Sequence, residues 1–279
     1  MDAPPEPLES GSAHGGSWYD RADLYDIAFS WNTDDEIRGL EAILGRHGVG
    51  AEATIYEPFC GGGRLVLPLV RRGFRVVGAD LNSAMLDVAR RKLDALGVSG
   101  MDPKRFELFH ADVSEFSPPA CDAVVTLIDS FRHLHAPGQA LRALERWRKA
   151  CPRGPIIVGL ELGNASVRGG PPEPASWTQT RDGVKVSVCV QTDLPHEGLQ
   201  LMRVRLDAAL ADGSLYRIED ESMMAFYDFG SFRALARASG LDVVECLEWN
   251  GFGRRENVAS EGNVVAVLRA QEALCAEER

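Results

Sequence analysis

Acidic residues stand at the ends of three successive apolar runs, and the first of these runs leads directly into three glycines. In the segment YEPFCGGGRLVL, Glu57 precedes the glycines at 61–63, and a helix-like pattern follows them. Asp80 ends the second run and Asp112 ends the third. Glycines let a ligand approach the backbone, and the N-terminus of a helix is electropositive. The arrangement is typical of a site for a nucleotide-like ligand, in which Asp80 would accept hydrogen bonds from both ribose hydroxyls.

The glycine spacing separates two classes of ligand. A dinucleotide-binding G-x-G-x-x-G sequence that began at Gly61 would need a glycine at position 66, where this chain has Val66. Glu57 stands four residues before Gly61, where a carboxylate would repel a pyrophosphate but attract an amino group. Three acids at successive strand ends favour a ligand with ribose hydroxyls, an amino group and an adenine but no phosphate. The alternative without a ligand is a tight glycine turn beside acids that only cap helices.

Alternating strand and helix patterns surround these residues. Five apolar runs predict strands, and helical patterns follow most of them, which indicates an α/β fold with a parallel sheet covered on both faces. The runs are ATIYEP, FRVVGAD, FELFHAD, CDAVVTLI and PIIVGLEL. Farther along, residues alternate in polarity at a period of two, and Asp182-Gly183 and Asp212-Gly213 have the composition of hairpin turns. The second half therefore predicts an antiparallel sheet inserted into the α/β core.

These patterns divide the chain into four parts. The acidic segment 1–17, rich in Pro, Gly and Ser, is predicted to be a disordered tail. Residues 18–165 and 229–270 are predicted to form the core, and 166–228 the inserted sheet. The last residues, 271–279, are predicted to be a C-terminal tail.

The motifs together resemble those of the class I S-adenosylmethionine-dependent methyltransferases, in a branch that acts on small molecules. The matching stretches are IYEPFCGGGRLVLPLVRRGFRVVGADLNSAMLDVARRKL, HADV and DAVVTLIDSFRHL. The resemblance covers about residues 18–165 and 229–269. It implies a Rossmann-like fold with a seven-stranded, mostly parallel sheet, helices on both faces and the inserted antiparallel β-sheet. It also implies S-adenosyl-L-methionine as the cofactor.

The resemblance assigns roles around this cofactor. Glu57 would order the glycine loop and the methionine part of the donor, and Asp80 would bind the ribose. The other cofactor-binding residues that it implies are Tyr25, Cys60, Gly61, Gly63, Leu81, Met85, Asp112, Val113 and Ile128. Phe59 departs from the pattern, since many members have glycine or alanine there. Its ring would either narrow the pocket or point into the core.

The acceptor is predicted to be a small molecule carrying an amine, a hydroxyl or a carboxylate. Enzymes that methylate exocyclic amines of nucleic-acid bases usually carry an (Asp/Asn/Ser)-Pro-Pro-(Tyr/Phe) box after the fourth strand. The corresponding stretch here is TLIDSFRHLH, which has no pair of prolines. The net charge of −11 also argues against a protein that binds a phosphate backbone. Nucleic acid is therefore not expected to be a partner.

His133 is the candidate general base, with Asp129 four residues before it. The alternative is a histidine that packs or caps in an ordinary loop. The pair His133 and His135 with Asp129 lacks a fourth ligand at a fitting spacing, so no metal site is predicted. Four further residues are candidates for acceptor binding. They are Trp31, Glu161, Trp177 and Tyr227.

Two other functions remain open for the same motifs. One is a protein that binds the donor without turnover, as a sensor or an assembly subunit. The other is a nicotinamide-dependent oxidoreductase, which Val66 and Glu57 disfavour. The inserted sheet would roof the acceptor pocket or form the interface of a homodimer. The cysteines are scattered and form no Cys-x-x-Cys pair. No apolar run approaches the roughly 18 residues of a membrane span. Both observations predict a cytoplasmic protein.

Overall fold

The computed structural model describes residues 13–97, 105–163, 172–248 and 262–271. The predicted disorder of residues 1–12 and the predicted tail at 272–279 lie outside the described residues. Contacts group the chain into two units. The smaller unit comprises the described parts of 1–31, 170–194 and 201–222, and the larger unit comprises the rest.

Helices and strands alternate through the first two-thirds of the described chain. The helices are α1 (Ala22–Ala28), α2 (Asp34–Arg46), α3 (Val66–Arg71), α4 (Ser83–Gly97), α5 (Gln139–Ala150) and α6 (Phe229–Ala238). The strands are β1 (Ala13–Gly15), β2 (Thr54–Pro58), β3 (Arg75–Asp80), β4 (Phe106–His110), β5 (Ala123–Thr126), β6 (Ile156–Leu162), β7 (Ala175–Arg181), β8 (Val184–Thr192), β9 (Leu199–Ala209), β10 (Leu215–Ala225), β11 (Leu241–Glu248) and β12 (Gly262–Ala270). None of the helices in the described residues is long and apolar enough to span a membrane.

The larger unit contains the predicted seven-stranded sheet. Its strand order is β11-β12-β6-β5-β2-β3-β4, and β2 to β6 are parallel to their neighbours in that group. Strand β12 runs antiparallel to both β6 and β11. The carboxyl ends of β2, β3, β4, β5 and β6 therefore lie along one edge of the sheet, where ligands of open α/β sheets bind.

Alternate residues of the central strands enter two apolar clusters. Ile55 and Val125 belong to one cluster, whereas their neighbours Tyr56 and Val124 belong to the other. Helices α2, α3 and α4 supply buried residues to the first cluster, and α5 and α6 supply them to the second. Because successive side chains of a strand point to opposite faces, the two clusters cover both faces of the sheet. This burial on both faces explains the near-continuous apolar runs of the sequence.

The smaller unit contains a five-stranded sheet in the order β1-β10-β9-β8-β7. Strands β7 and β8 are antiparallel, as are β8 and β9, as the alternating pattern predicts. Asp182 (φ 52°) and Gly183 (φ 78°) join β7 to β8 in left-handed conformations, which a two-residue hairpin turn requires.

The structure differs from the sequence-based division at the N-terminal side. Residues 13–15 form β1, which pairs with β10, where the sequence predicted a disordered tail through residue 17. Ser17 Oγ donates a hydrogen bond to Asp220 Oδ2 at 2.9 Å, and Trp18 is buried. Residues up to Trp31 also group with the smaller unit, although the sequence placed the start of the core at residue 18. Contacts with strands far along the sequence thus order this segment.

Candidate functional site

Glu57 is a buried acid at the carboxyl end of β2. It is 5% exposed, and its Oε2 atom has no hydrogen-bond partner among the described residues. Burial raises the pKa of Glu57 to about 8, and nearby Arg64 opposes this increase. A buried polar atom without a partner costs free energy, which a hydrogen bond from a bound ligand, water or ion would offset. Glu57 is therefore placed to accept a hydrogen bond from a cationic or polar donor group.

Asp80 connects the end of β3 to the glycine loop. Its Oδ2 atom accepts a hydrogen bond from Gly61 N at 2.8 Å, and its Oδ1 atom accepts one from Asn82 N at 2.8 Å. Burial raises the pKa of Asp80, and these two backbone hydrogen bonds oppose the increase. An ionised carboxylate offers about four acceptor positions. Each oxygen can therefore still accept a hydrogen bond from a ligand hydroxyl.

The loop glycines adopt conformations that other residues rarely take. Gly61 has φ 50° and Gly63 has φ 75°. A Cβ atom on Gly63 would lie 3.1 Å from Cβ of Ala89, so its lack of a side chain allows α4 to pack closely against the loop. The buried Val66, at the start of α3, stands where a dinucleotide fingerprint would have its third glycine.

Phe59 has the left-handed φ of 59° and packs, partly buried, against the cluster that contains Tyr56. The ring thus contacts the core, which is one of the two orientations that the sequence left open. A left-handed backbone also explains why glycine would suit this position, since it adopts that conformation at little steric cost.

The predicted adenine-side residues differ in how accessible they are. Leu81 is 68% exposed, whereas Met85 and Val113 are 2% and 4% exposed. Asp112 Oδ1 accepts hydrogen bonds from N and Oγ of Ser114, each at 2.8 Å. Leu81 can therefore contact a ligand, while Met85 and Val113 chiefly pack behind the surface. Cys60 is also buried, against the backbone of β3 at Gly78.

A second group of candidate residues lies at the carboxyl ends of β5 and β6. Ile128 and Asp129 have φ values of 53° and 56°, an unusual conformation for two consecutive residues and especially for a β-branched one. Asp129 Oδ1 accepts a hydrogen bond from the backbone N of Glu161 at 2.6 Å. The structure therefore brings Asp129 and Glu161, predicted separately from the sequence, next to each other.

Arg132 is a residue of this group that the sequence did not single out. Its side chain is buried, and its nearest acidic partner is Glu161, at 3.2 Å. It also contacts residues about 70 and 90 positions farther along the chain. An isolated arginine after a strand carries no sequence signal of such contacts.

His133 is half-buried and lies in the short 3₁₀ helix that follows β5. Burial lowers the pKa of His133 to about 4, although Asp129 opposes the decrease. At neutral pH the imidazole is therefore uncharged and can accept a proton, but with low affinity. Its role as a general base stays a prediction. In the described residues no group of three or more His, Cys, Asp and Glu could hold a metal ion.

The remaining predicted residues belong to different units. Tyr227 lies in the larger unit, and the centroid of its ring is 5.9 Å from that of Phe131. Burial raises the pKa of Tyr227 to about 12. Tyr25, Trp31 and Trp177 belong to an aromatic cluster of the smaller unit. There Trp177 Nε1 donates a hydrogen bond to the carbonyl oxygen of Ala28 at 2.8 Å. Their roles in cofactor and acceptor binding stay predictions.

Residues 55–153 match a family model described as a methyltransferase domain. The matched range begins in β2 and ends just after α5, so it includes the glycine loop, Asp80 and Asp129. One curated relative, a tRNA (guanine(37)-N(1))-methyltransferase of Encephalitozoon cuniculi, is 30% identical over 66 residues, which is 24% of this chain. The match spans only 18% of the length of that relative. It is therefore a local similarity.

Solved structures share the fold over most of the chain. An S-adenosylmethionine-dependent methyltransferase from Clostridium acetobutylicum is 14% identical, with a TM-score of 0.69 over 90% of this chain and 98% of that one. The sugar N-methyltransferase KedS8 from Streptoalloteichus is 19% identical, with a TM-score of 0.67 over 97% and 100%. The amino pentose methyltransferase CalS10 from Micromonospora echinaspora, solved with bound S-adenosylmethionine, is 18% identical, with a TM-score of 0.65 over 88% and 96%. The predicted Rossmann-like fold and the resemblance to class I methyltransferases are confirmed, and the predicted cofactor agrees with the ligand of CalS10.

Proposed function

We propose that this chain, which carries a methyltransferase domain within the class I fold, uses S-adenosylmethionine to methylate a small-molecule acceptor. The observation that carries this proposal is the arrangement of Glu57, the glycine loop and Asp80 at one edge of the sheet. Within the described part of the chain the buried Oε2 atom of Glu57 has no hydrogen-bond partner, and Asp80 is fixed by Gly61 and Asn82 with acceptor positions to spare.

These residues fit the parts of S-adenosylmethionine. Glu57 would bind the amino group of the methionine part, and Asp80 would accept the ribose hydroxyls. Exposed Leu81 offers an apolar surface to the adenosine, and the backbone of the loop borders the methionine part. When bound, the donor supplies an electrophilic methyl group on a sulfonium. A dinucleotide fits less well, because the Glu57 carboxylate would lie where a pyrophosphate approaches the loop.

The acceptor that we favour is an amine on a sugar-like small molecule. KedS8 is described as a sugar N-methyltransferase and CalS10 as an amino pentose methyltransferase, and they support this choice at the level of a shared fold. Asp129 and Glu161 support it independently, because two neighbouring carboxylates attract an ammonium more than a neutral hydroxyl. The chain's residues would hold the amine, take up or pass on its proton and exclude water. Much of the rate enhancement would come from this positioning.

A panel of matched acceptors tests the choice. Each amino sugar is paired with the sugar that has a hydroxyl in the same position, and release of S-adenosylhomocysteine is measured for both. We expect turnover with at least one amino sugar and a much lower rate with its hydroxyl counterpart. Turnover restricted to hydroxyl or carboxylate acceptors would contradict the choice of an amine. Donor binding with no turnover on any acceptor would favour the alternative of a sensor or assembly subunit.

The part played by the smaller unit stays a prediction. Its sheet is a candidate either for acceptor binding or for the interface of a homodimer, and Trp31 and Trp177 are its candidate acceptor-binding residues. Trp31→Ala and Trp177→Ala would raise the KM for the acceptor under the first alternative. Under the second alternative, sedimentation would give the mass of a dimer.

A further inference from the structure

Arg132 makes several buried polar contacts near the candidate acceptor residues. It is 3% exposed and lies in the short 3₁₀ helix that follows β5. Its Nη1 atom lies 3.2 Å from Oε2 of Glu161 and 3.5 Å from Oδ1 of Asp129. Its Nε atom donates to the carbonyl oxygen of Ala225 at 2.8 Å, and Nη2 donates to Oε1 of Gln200. One guanidinium thus joins four segments of the larger unit.

The free-energy cost of burying the Arg132 guanidinium indicates that its contacts with these partners are specific. Removing an arginine from water costs several kcal/mol, and only well-formed ionic and hydrogen-bonding partners offset that cost. The two acids are themselves close, since Asp129 accepts a hydrogen bond from the backbone N of Glu161. Without a cation between them, their repulsion would favour protonation of one carboxyl. An arginine can hold both acids through Nη1 while its Nε and Nη2 atoms bind Ala225 and Gln200, whereas a lysine has a single nitrogen.

We propose that Arg132 is a positioning residue, whose buried guanidinium holds the carboxylates of Asp129 and Glu161 together at the carboxyl ends of β5 and β6. This inference rests on the proposed function, because these carboxylates are the candidate residues for an amine acceptor. Arg132 would act through them by opposing the increase in the pKa of Glu161 and by fixing the position of both side chains. It would thereby keep their oxygens in place to accept hydrogen bonds from an amine.

The ionisable groups around the pair support this role. Burial and the nearby Asp129 raise the pKa of Glu161, and Arg132 opposes that increase. Arg132 also opposes the increase in the pKa of Tyr227 and adds to the decrease in the pKa of His133. All of these side chains therefore respond to the same buried charge. Removal of that charge should be visible in the titration of Glu161.

The test measures the titration of Glu161 directly. The protein is labelled with ¹³C at the side-chain carboxyl of glutamate, and the Glu161 signal is assigned by its loss in Glu161→Gln. Titration curves are compared for the wild type, Arg132→Met and Arg132→Lys. Arg142→Met is the matched control, because Arg142 is paired with Glu115 but its side chain is 43% exposed, in contrast to the buried Arg132. Binding of S-adenosylhomocysteine by each variant is measured by calorimetry.

We expect the midpoint of Glu161 to move upward in Arg132→Met, to move less in Arg132→Lys and to stay unchanged in Arg142→Met. S-adenosylhomocysteine affinity should stay within about threefold of the wild type, since Arg132 contacts the acceptor-side acids. If Arg132→Met does not fold, the test is decided by the difference in the titration midpoint of Glu161 between Arg132→Lys and the wild type. A Glu161 midpoint that is the same in the folded Arg132 variants and the wild type would overturn the role of Arg132. Failure of the wild type to bind S-adenosylhomocysteine would instead overturn the proposed function, and the titration would still decide how Arg132 acts on Glu161.

Discussion

Glu57 is the residue whose charge should differ most between the free and the donor-bound protein. Its pKa of about 8 means that the carboxyl is largely protonated at pH 7 without a ligand. An ammonium group beside it would favour the ionised form. Donor binding at pH 7 should therefore release a proton, which calorimetry in two buffers of different ionisation enthalpy can detect.

The same shift gives a prediction for stability. An acid whose pKa is higher in the folded state stabilises the protein fully below its unfolded pKa of 4.5, and this contribution is lost as the pH rises through 8. Glu57→Gln removes this loss, so the variant should exceed the wild type in free energy of unfolding by on the order of 4 kcal/mol at pH 8, and by no more than about 1 kcal/mol at pH 5. Urea denaturation at both pH values measures the difference.

Exposed Glu107, in β4, provides the control for this prediction. Glu107→Gln should leave the pH dependence of unfolding as in the wild type. The two Gln variants should also differ in function, because we expect Glu57→Gln to weaken donor binding and Glu107→Gln to leave it unchanged. Equal pH dependence in Glu57→Gln and the wild type would show that Glu57 is ionised in the free protein.

Single residues also show how far sequence reasoning reaches at this site. Glu57 and Asp80 could be predicted, because each ends an apolar strand of a parallel sheet and such ends meet at one edge. Arg132 could not, because its partners Gln200 and Ala225 are distant in the sequence. The orientation of Phe59 could not be predicted either. It depends on a left-handed backbone conformation, which the sequence around a phenylalanine does not indicate.

At the scale of elements, the loop between β2 and α3 depends on close packing against α4. Gly63→Ala would place a methyl group 3.1 Å from Cβ of Ala89, on a backbone with φ 75°. We expect this change to reduce the free energy of unfolding by about 1–3 kcal/mol and to weaken binding of S-adenosylhomocysteine. Urea denaturation and calorimetry measure the two effects.

Gly45→Ala is the matched control, because Gly45 lies near the end of α2 with no atom within 4 Å of the added Cβ. It should raise the free energy of unfolding by about 0.5–1 kcal/mol, since alanine suits a helix better than glycine. A Gly63→Ala variant as stable as Gly45→Ala would mean that the loop does not need its close contact with α4.

Most helices and strands could be predicted, because the apolar residues of the chain follow the helical period in some segments and the strand period of two in others. The buried strands β2, β3 and β5 read as apolar runs, and the hairpin of β7 and β8 was indicated by Asp182-Gly183. Strand β1 was not predictable. Its sequence, Ala-His-Gly, has low strand propensity, and it is ordered through pairing with β10, about 200 residues away.

At the scale of the whole molecule, charge is the property that bears on the acceptor. The local match to a tRNA methyltransferase makes RNA binding worth testing directly, and the net charge of −11 argues against it. We expect no saturable binding of a fluorescent tRNA transcript at about 0.15 M salt, where binding to phosphates depends on clustered lysine and arginine. Micromolar or tighter binding that weakens as salt is added would contradict a small-molecule acceptor.

The central claim is that this chain binds S-adenosylmethionine through Asp80, and measurements of ligand binding test it most directly. Calorimetric titrations of S-adenosylhomocysteine and NAD are compared for the wild type, Asp80→Ala and Asp80→Asn, the last of which keeps one side-chain oxygen to accept hydrogen bonds. The wild type should bind S-adenosylhomocysteine at one site and not bind NAD. Asp80→Ala should bind it at least about tenfold more weakly, the equivalent of about 1.4 kcal/mol, and Asp80→Asn should lie between the two. Binding of NAD in place of S-adenosylhomocysteine, or unchanged affinity in Asp80→Ala, would contradict the account.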